Sequence, residues 1–377
     1  MQIGGREGDK KPTGPAIFAQ HAFLTHPFPK FPGSAALRRG LTGFHGSITV
    51  IFVRAISAGN KKVFVIIPVH NRREITLGCL ACLRAAGDLD WANVVVVDDG
   101  STDGTADAIR EKFPEVILLK GDGNLWWTGG IVMGMEEAVR SQADVIVWLN
   151  DDCHPRPGSL EALVNHTMES GAISVGQTFS AVAEPYTGWI KTPWSFRSVR
   201  CSSGLSAPCD SFPGNFVALP RRLVEAVGYP DAQSFPHVFA DADYGFRARN
   251  HGFQIDVLGD AQADGIDSLN PRAGSWLLDE RSARQILNSV LNRNSALHPP
   301  TFWRYLTRHW GWRGAFQWCG TYLRMALFLM IKSVTPKSWL LRLAGRRSVA
   351  WKVRLAAEKR LAAVAGYGCG KKSGDPL

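Results

Sequence analysis

The sequence predicts an α/β domain built on a mostly parallel sheet, and two observations support this prediction. Four apolar runs of strand length, rich in Val and Ile, follow one another between residues 63 and 152. Each run is followed by a stretch with the length of a helix. Because neighbouring parallel strands need a crossover connection, which is usually a helix, this alternation is typical of a parallel sheet with helices on its faces.

The four predicted strands are continuous apolar runs, which is typical of strands buried on both faces. They are VFVIIPV (63–69), NVVVVDD (93–99), VILLKG (116–121) and DVIVWLNDD (144–152). We predict helices at about 72–86, 103–112, 129–142 and 157–169. A strand at about 172–179, a loop-like stretch at 180–214 and a strand followed by a helix in NFVALPRRLVEAVG (215–228) complete the pattern.

The chain divides into three predicted parts. Residues 1–60 form an irregular N-terminal extension, with one candidate strand at 48–53, and residues 61–268 form the α/β domain. Residues 269–377 form a basic, Trp-rich, helical C-terminal segment. Between residues 302 and 360 we count thirteen Lys and Arg against one acid, Glu358, so the net charge of +10 belongs to this segment. No recognised nucleic-acid-binding motif accompanies the charge, and we expect no nucleic-acid partner.

Polar residues follow all four strands where the strands end. The four endings are Pro68-Val69-His70-Asn71, Asp98-Asp99-Gly100-Ser101, Gly121-Asp122-Gly123-Asn124 and Asn150-Asp151-Asp152. In open α/β sheets ligands bind beyond the carboxyl ends of the strands, so this edge predicts a site for a polar, charged ligand. The alternative for the second ending is turn and helix-capping chemistry alone.

The adjacent acids Asp151 and Asp152 predict a metal. Two neighbouring carboxylates at the end of a buried strand repel each other and need a counter-cation. Mn²⁺ or Mg²⁺, held by one or two carboxylates together with phosphate oxygens, would supply it. No G-x-G-x-x-G follows the first strand, and no G-x-x-x-x-G-K-[ST] occurs, which argues against a dinucleotide-binding dehydrogenase and a P-loop phosphotransferase.

Four segments together resemble the family 2 glycosyltransferases, which have the GT-A fold, a Rossmann-like and mostly parallel sheet that binds nucleoside-diphosphate sugars. The segments are FVIIPVHNR, VVVVDDGSTDGT, VWLNDDC and PGNFVALPRRLVEAVGYPD…FADADYGFRARNHGF (213–253). The resemblance covers about 62–265, and the DXD-type metal motif takes the form Asn150-Asp151-Asp152. A fifth segment, GDGNLWWTGG (121–130), is similar to the rhamnosyltransferase-like branch, which builds bacterial surface polysaccharides.

The resemblance implies roles for residues of the donor site. The residues implied in nucleotide-sugar binding are Pro68, His70, Asn71, Asp99, Gly123, Asn124, Trp127, Gly130 and Asp151. Asp99 would accept a hydrogen bond from the base, uracil or thymine, and Asp152 would bind the metal on the diphosphate. A UDP- or dTDP-sugar is therefore the expected donor. For Trp127 and its neighbour Trp126, stacking on a sugar or base and packing in the core remain equal alternatives.

The resemblance also implies a catalytic base. The family carries an acidic pair, Glu-Asp, before an x-x-R-x-x-x-x-G segment, and Asp241 matches its second acid. Ala240 replaces the first acid, while Asp243 supplies another carboxylate two residues later and is the rival candidate. A base takes the proton of the acceptor hydroxyl and a metal stabilises the departing diphosphate, which gives inversion. The alternative is two acids favoured by a helix N-terminus.

The predicted function is inverting, metal-dependent transfer of a hexose or deoxyhexose to a glycan or lipid-linked glycan in bacterial surface polysaccharide or cell-wall assembly. The alternatives are a nucleotidyltransferase of similar fold and an inactive homologue that binds nucleotide or glycan. For residues 302–360 we predict docking on a membrane surface, and the alternative is packing on the core. The longest apolar run, MALFLMI (325–331), is too short to span a bilayer. A polar N-terminus without an apolar stretch predicts a cytoplasmic protein, and the basic, aromatic segment 302–360 predicts a peripheral position on the inner face of the plasma membrane.

Overall fold

The computed structural model describes residues 62–180, 185–266 and 282–334. The extension at 1–60, with its candidate strand at 48–53, lies outside these residues, as does 335–377. The strands are β1 (Val63–Val69), β2 (Asn93–Asp98), β3 (Ile117–Lys120), β4 (Val145–Leu149), β5 (Cys153–Pro155), β6 (Ile173–Phe179), β7 (Trp189–Lys191), β8 (Phe196–Ser198), β9 (Ser206–Pro208), β10 (Phe216–Pro220) and β11 (Ile255–Gly265). The helices are α1 (Arg73–Ala86), α2 (Thr105–Lys112), α3 (Trp126–Arg140), α4 (Ser159–Ser170), α5 (Arg221–Val227), α6 (Ala240–Asn250), α7 (Ala283–Leu291), α8 (Pro299–Trp310) and α9 (Trp312–Val334).

Nine strands form one sheet in the order β3-β2-β1-β4-β10-β6-β11-β5, with β9 paired to β11. Strands β3, β2, β1 and β4 are parallel neighbours. Strand β10 is antiparallel to both β4 and β6, and β11 is parallel to β6. Six of the nine strands therefore run in one direction, which confirms the predicted α/β class with a mostly parallel sheet.

The four apolar runs form the four parallel strands at one side of this sheet. Strand β1 lies between β2 and β4, and β4 is buried along its whole length. Both faces of β1 are covered, since its alternate residues belong to two different hydrophobic clusters. The buried position of β1, β2 and β4 explains why these three strands are continuous apolar runs instead of alternating ones.

Helix α3 packs unusually close to β1 because it carries glycines at the contact. A Cβ at Gly134 would collide with the side chain of Ile66, and one at Gly130 would lie 2.9 Å from Cβ of Pro68. The helix begins at Trp126, three residues before the predicted start. It therefore directs its N-terminal end into the cleft formed by the ends of β1 and β2.

The helices after residue 282 pack on the sheet domain and confirm the predicted helical character of this part of the C-terminal segment. The ring of Phe239 stacks on Tyr305 of α8 at 4.3 Å, and the indole N–H of Trp310 donates to the carbonyl of Thr192. Residues of α8 and of the sheet belong to one hydrophobic cluster. For α8, packing on the core is therefore the correct alternative. The domain limits at residues 60 and 268 stay predictions.

Within the described ranges, no helix is both long and apolar enough to cross a bilayer.

Candidate active site

The loop that follows β1 is tied to the loop that follows β2. Nδ1 of His70 lies 2.6 Å from the carbonyl oxygen of Asp99, and Nδ2 of Asn71 lies 2.9 Å from Nε2 of His70. Because a carbonyl can only accept, Nδ1 carries the proton and Nε2 accepts from the amide. The backbone of Asn71 has φ +52° and donates to the hydroxyl of Ser101. The two predicted endings form one rigid edge.

Asp99 supports the start of α3 from the end of β2. Its carboxylate accepts the backbone N–H groups of Leu125 and Trp126, at 3.1 and 3.0 Å. The residue is only 6% exposed. These two bonds satisfy N–H groups that a helix start leaves without an intrahelical partner. Asp99 thus has a structural function in this structure, and its bond to a nucleotide base stays a prediction.

Four further donor-site candidates lie along the segment 121–130. Gly123 has φ +86°, and Asn124 is exposed and donates its backbone N–H to Asp122. Gly130 is buried against Pro68, where its lack of a side chain allows the close approach of α3. Trp127 is buried, and its indole N–H donates to the amide oxygen of Asn150 at 2.8 Å. The structure brings Trp127 to the end of β4, and its contact with a donor stays a prediction.

Arg72 is the counter-ion of the paired acids after β4. Its guanidinium lies 2.9 Å from Asp151 and 2.9 Å from Asp152. Asp151 is buried and also accepts the hydroxyl of Thr76 at 3.0 Å. Burial raises the pKa of Asp151 and Asp152 raises it further, while Arg72 and Thr76 oppose the rise. Arg72 therefore supplies a counter-cation that the sequence-based prediction assigned to a metal alone.

The residues after β4 fit a divalent ion that is coordinated mainly by the phosphate oxygens of a bound substrate. In the described part of the chain, no group of three or more His, Cys, Asp or Glu side chains could hold an ion on its own. Asp152 is partly exposed, while Asp151 is buried. One accessible carboxylate is nevertheless the protein contribution that Mg²⁺ commonly takes when substrate phosphates supply further oxygens. Asp152 therefore fits the predicted role, and metal dependence stays a proposal.

Asp241 lies beside the end of β4, although it is about ninety positions away in the sequence. It is in the first turn of α6, is 2% exposed and accepts the backbone N–H of Gly214 at 2.8 Å. A Cβ at Gly214 would lie 2.5 Å from the ring of Trp127 and 3.2 Å from Cβ of Asp241. Since Trp127 bonds Asn150, an unbroken series of contacts joins Asp241 to the residue before Asp151.

Asp243 is held by α8. Its Oδ1 lies 3.0 Å from the guanidinium of Arg308 and 2.9 Å from Nε2 of His309, and the residue has no exposed surface. Arg308 also pairs with Asp231 at 3.0 Å. Burial raises the pKa of Tyr305 of the same helix, and the charges of Asp241 and Asp243 raise it further. Asp243 is thus one point at which α8 attaches to α6, and Phe246, which contacts the rings of His309 and Trp310, is another.

Sequence reasoning missed Arg72, Arg308 and His309. The sequence treats the basic residues of 302–360 as one charged segment. It gives no sign that Arg308 and His309 contact a buried carboxylate while other basic residues are exposed. For Arg72, its place directly after His70 and Asn71 was a usable signal, because the ends of neighbouring parallel strands meet at one edge. A cation at one strand end and two acids at another would have predicted the ion pair.

Family models match nearly the whole of the described chain. The model described as Glycosyl transferase family group 2 matches residues 145–351, which is more than half of the chain. The chain belongs to the family 2 glycosyltransferases. A second model, described as Glycosyl transferase family 2, matches residues 64–225 of this glycosyltransferase and includes both donor-side acids. The predicted family and GT-A fold class are therefore confirmed, while the rhamnosyltransferase-like branch is not.

Solved structures similar to this glycosyltransferase include two with bound ligands. One is GalNAc-T7 with UDP, GalNAc and Mn²⁺, at 12% identity and a TM-score of 0.48, covering 66% of this chain and 51% of that one. Another is S. aureus TarS 1-349 with UDP-GlcNAc, at 17% identity and a TM-score of 0.43, covering 66% and 72%. The glycosyltransferase thus spans about half the length of GalNAc-T7. No curated protein sequence matches it significantly.

Proposed function

We propose that this chain transfers a hexosyl or deoxyhexosyl group from a UDP- or dTDP-sugar to a hydroxyl of a glycan or lipid-linked glycan, with inversion. Membership of the family supports sugar transfer. The likeness of GDGNLWWTGG to the rhamnosyltransferase-like branch supports a deoxyhexose and a place in bacterial surface polysaccharide or cell-wall assembly. The site of action that we propose is the cytoplasmic face of the plasma membrane.

The donor side of the proposal uses the edge formed by β1, β2 and β4. Asp152 would hold Mn²⁺ or Mg²⁺ on the donor diphosphate, and the ion supplies positive charge to the departing group. His70 and Asn71 fix the loop that would face the nucleotide. Arg72, already beside both acids, keeps their carboxylates in place before the donor arrives.

The acceptor side uses Asp241 as the base, and one observation carries this part of the proposal. The contacts from Asn150 through Trp127 and Gly214 to Asp241 hold a carboxylate beside the acids that would bind the diphosphate. A base must lie within hydrogen-bond reach of the hydroxyl that attacks the sugar. Gly214 and Ala242 donate backbone N–H groups to Asp241 and so orient its two oxygens.

The contacts of Asp243 support Asp241 over its rival. The Oδ1 atom of Asp243 is already engaged by Arg308 and His309, and the side chain has no exposed surface. Removing a proton from a substrate would require this ion pair to open. The two oxygens of Asp241 are oriented by the backbone N–H groups of Gly214 and Ala242, and we therefore assign the proton transfer to Asp241.

Donor binding tests the proposal before any acceptor is known. We expect a UDP- or dTDP-sugar with Mn²⁺ to raise the melting temperature, since a ligand at about a hundred times its dissociation constant stabilises a fold by about 2.7 kcal/mol. The variant Asp152→Ala should keep its fold and lose the part of this stabilisation that depends on Mn²⁺. Asp264→Ala, which changes an exposed carboxylate on β11, is the matched control.

Two results would refute the proposed donor site. One is the absence of stabilisation by every UDP-, dTDP- and GDP-sugar tested, with or without Mn²⁺. The other is an Asp152→Ala variant whose Mn²⁺-dependent stabilisation equals that of the unchanged protein and of Asp264→Ala.

A further inference from the structure

Helix α9 has two apolar faces, and the protein uses one of them for packing. On the packed face, Met325 is buried and the indole of Trp318 lies edge-on to Trp303 of α8 at 5.4 Å. The hydroxyl of Tyr322 donates to the carbonyl of Leu297, and Gly314 lies against the backbone of Leu306. These contacts fix α9 along α8, so the direction of its second face is determined.

The second face is an exposed apolar stripe, which we call the α9 stripe. Its members are Trp312, Phe316, Leu323, Leu327, Met330 and Val334. Their exposed fractions range from 48% to 76%, and their spacings of three, four and seven residues place them on one side of the helix. The stripe extends over the 23 residues of α9, a length of about 34 Å. Contiguous apolar patches of this kind mark interaction sites.

A second part of the chain extends the stripe at its aromatic end. Trp194, in the turn between β7 and β8, is 45% exposed and lies edge-on to Trp312 at 5.9 Å and to Phe316 at 6.2 Å. The guanidinium of Arg313 lies over the rings of both Trp194 and Trp312. Tryptophans beside a cation are typical of groups that lie at the level of lipid headgroups.

The charge around the stripe has one sign. Residues 282–334 contain no Asp or Glu and seven Lys and Arg, three of which, Arg313, Arg324 and Lys332, are in α9 itself. Such a surface attracts an anionic surface and repels a copy of itself, since a symmetric pair would bring like charges together. Residues 335–360 carry eight more Lys and Arg and one acid, so they too are poor electrostatic partners for α9.

We propose that the α9 stripe and Trp194 dock this protein in the plane of an anionic lipid surface. Amphipathic helices with apolar residues on one side and cations around them bind in this way, parallel to the surface. The packing of α9 on α8 leaves the α9 stripe on the exposed side of the helix. A lipid-linked acceptor would be met at the same surface, and that consequence alone rests on the proposed function.

Flotation of the full chain with lipid vesicles tests this inference. We expect binding to vesicles of phosphatidylglycerol and phosphatidylcholine, weaker binding in high salt, and weak binding to phosphatidylcholine alone. The variant Leu323→Asn removes an apolar side chain that is 75% exposed on the stripe. It should lower the partition coefficient about fivefold to tenfold. The matched control, Leu205→Asn, removes a leucine that is 64% exposed beside β9 and should bind as the unchanged protein does.

The inference is overturned if the unchanged chain does not float with anionic vesicles, or if Leu323→Asn and Leu205→Asn bind equally well. It is also overturned if sedimentation shows a dimer that Leu323→Asn converts to a monomer, because the stripe would then join two copies of the chain. Thermal stabilisation by a nucleotide sugar is measured on the same samples. Its absence would count against the proposed function and leave the vesicle result standing.

Discussion

Two pairs of carboxylates lie at the cleft, and they are neutralised in different ways. The donor-side pair, Asp151 and Asp152, is compensated by Arg72, which lies at the end of the neighbouring strand in the same sheet. On the acceptor side, Asp241 is held by backbone N–H groups, while Asp243 depends on Arg308 and His309 of α8. The charges of the donor edge, formed by β1, β2 and β4, are therefore compensated within the sheet domain. The acceptor edge, which carries Asp241 and Asp243, requires the C-terminal helices for the partners of Asp243.

This difference limits how the C-terminal helices can be studied. A chain ending near residue 294 would lack Arg308 and His309, the α8 partners of Asp243, and would uncover the ring of Phe239 that stacks on Tyr305. Exposure of apolar surface that the full chain buries lowers stability. Membrane binding is therefore tested better by single substitutions on the exposed face of α9 than by truncation.

The largest expected effect separates the two acceptor carboxylates. Asp241→Asn keeps the shape of the side chain and removes its basicity, so turnover should fall about 10²–10⁴-fold while donor binding persists. Asp243→Asn should mainly lower stability, because it weakens the attachment of α8. Steady-state kinetics and thermal unfolding of both variants make the comparison. A large loss of turnover in Asp243→Asn with unchanged stability, and none in Asp241→Asn, would reverse the assignment.

The dependence of the acceptor edge on α8 is tested by Arg308→Ala. We expect a loss of about 2 kcal/mol in the free energy of unfolding, less than for a fully buried pair because the side chain is 39% exposed. Arg304→Ala, an exposed arginine of the same helix, is the matched control. Denaturant titration of both variants measures the difference. Equal stability of the two would show that Asp243 does not need its arginine.

The donor edge is tested by Arg72→Ala, with a smaller effect that depends on pH. Burial holds the pKa of Asp151 above its unfolded value, so the folded state binds this proton more tightly and stability falls as the pH rises through that interval. Removing Arg72 raises the pKa of Asp151 further. The loss of stability should therefore be about 1–2 kcal/mol at about pH 8 and smaller at about pH 5.

Unfolding curves at the two pH values, recorded for the variant and the unchanged protein, measure this loss. A loss that is larger at the lower pH would contradict the role of Arg72 as counter-ion. Arg110→Ala, on the exposed face of α2, provides the control, and its effect should be small at both values.

Strands β1, β2 and β4 were predictable from the sequence because they are buried on both faces, whereas the short strands β7, β8 and β9 lie in the stretch 180–214 that was predicted as loop-like. VFVIIPV matches β1 residue for residue, and the ends of β2, β3 and β4 differ from the prediction by one to three residues. The start of α3 was not predicted, because its cap comes from Asp99, more than twenty residues earlier, and no local signal reports such a contact. The burial of a strand can be predicted from its apolar composition. The cap of a helix by a residue distant in the sequence cannot.

The charged contacts of the site were also only partly predictable from the sequence. Asp151 and Asp152 were found from the sequence because they directly follow a buried strand, whereas Asp241 and Asp243 were found through the family resemblance. Their partners Arg72 and Arg308 lie 80 and 65 positions from Asp152 and Asp243. Only the topology of the sheet and the packing of α8 bring them together. Residue types near a strand end can therefore predict that a site exists, while its electrostatic balance requires the structure.

The contact between Asp243 and His309 also sets the order in which the protein can be completed during synthesis. At about 5–20 residues per second, a ribosome needs about 3–13 seconds to pass from one residue to the other. During this interval the strands of the donor edge, β1, β2 and β4, can already pair, since all of them precede Asp243. Until α8 leaves the exit tunnel, Asp243 lacks both of its α8 partners, Arg308 and His309. We expect the docking of α8 on α6 to be a late step in the completion of the fold during synthesis.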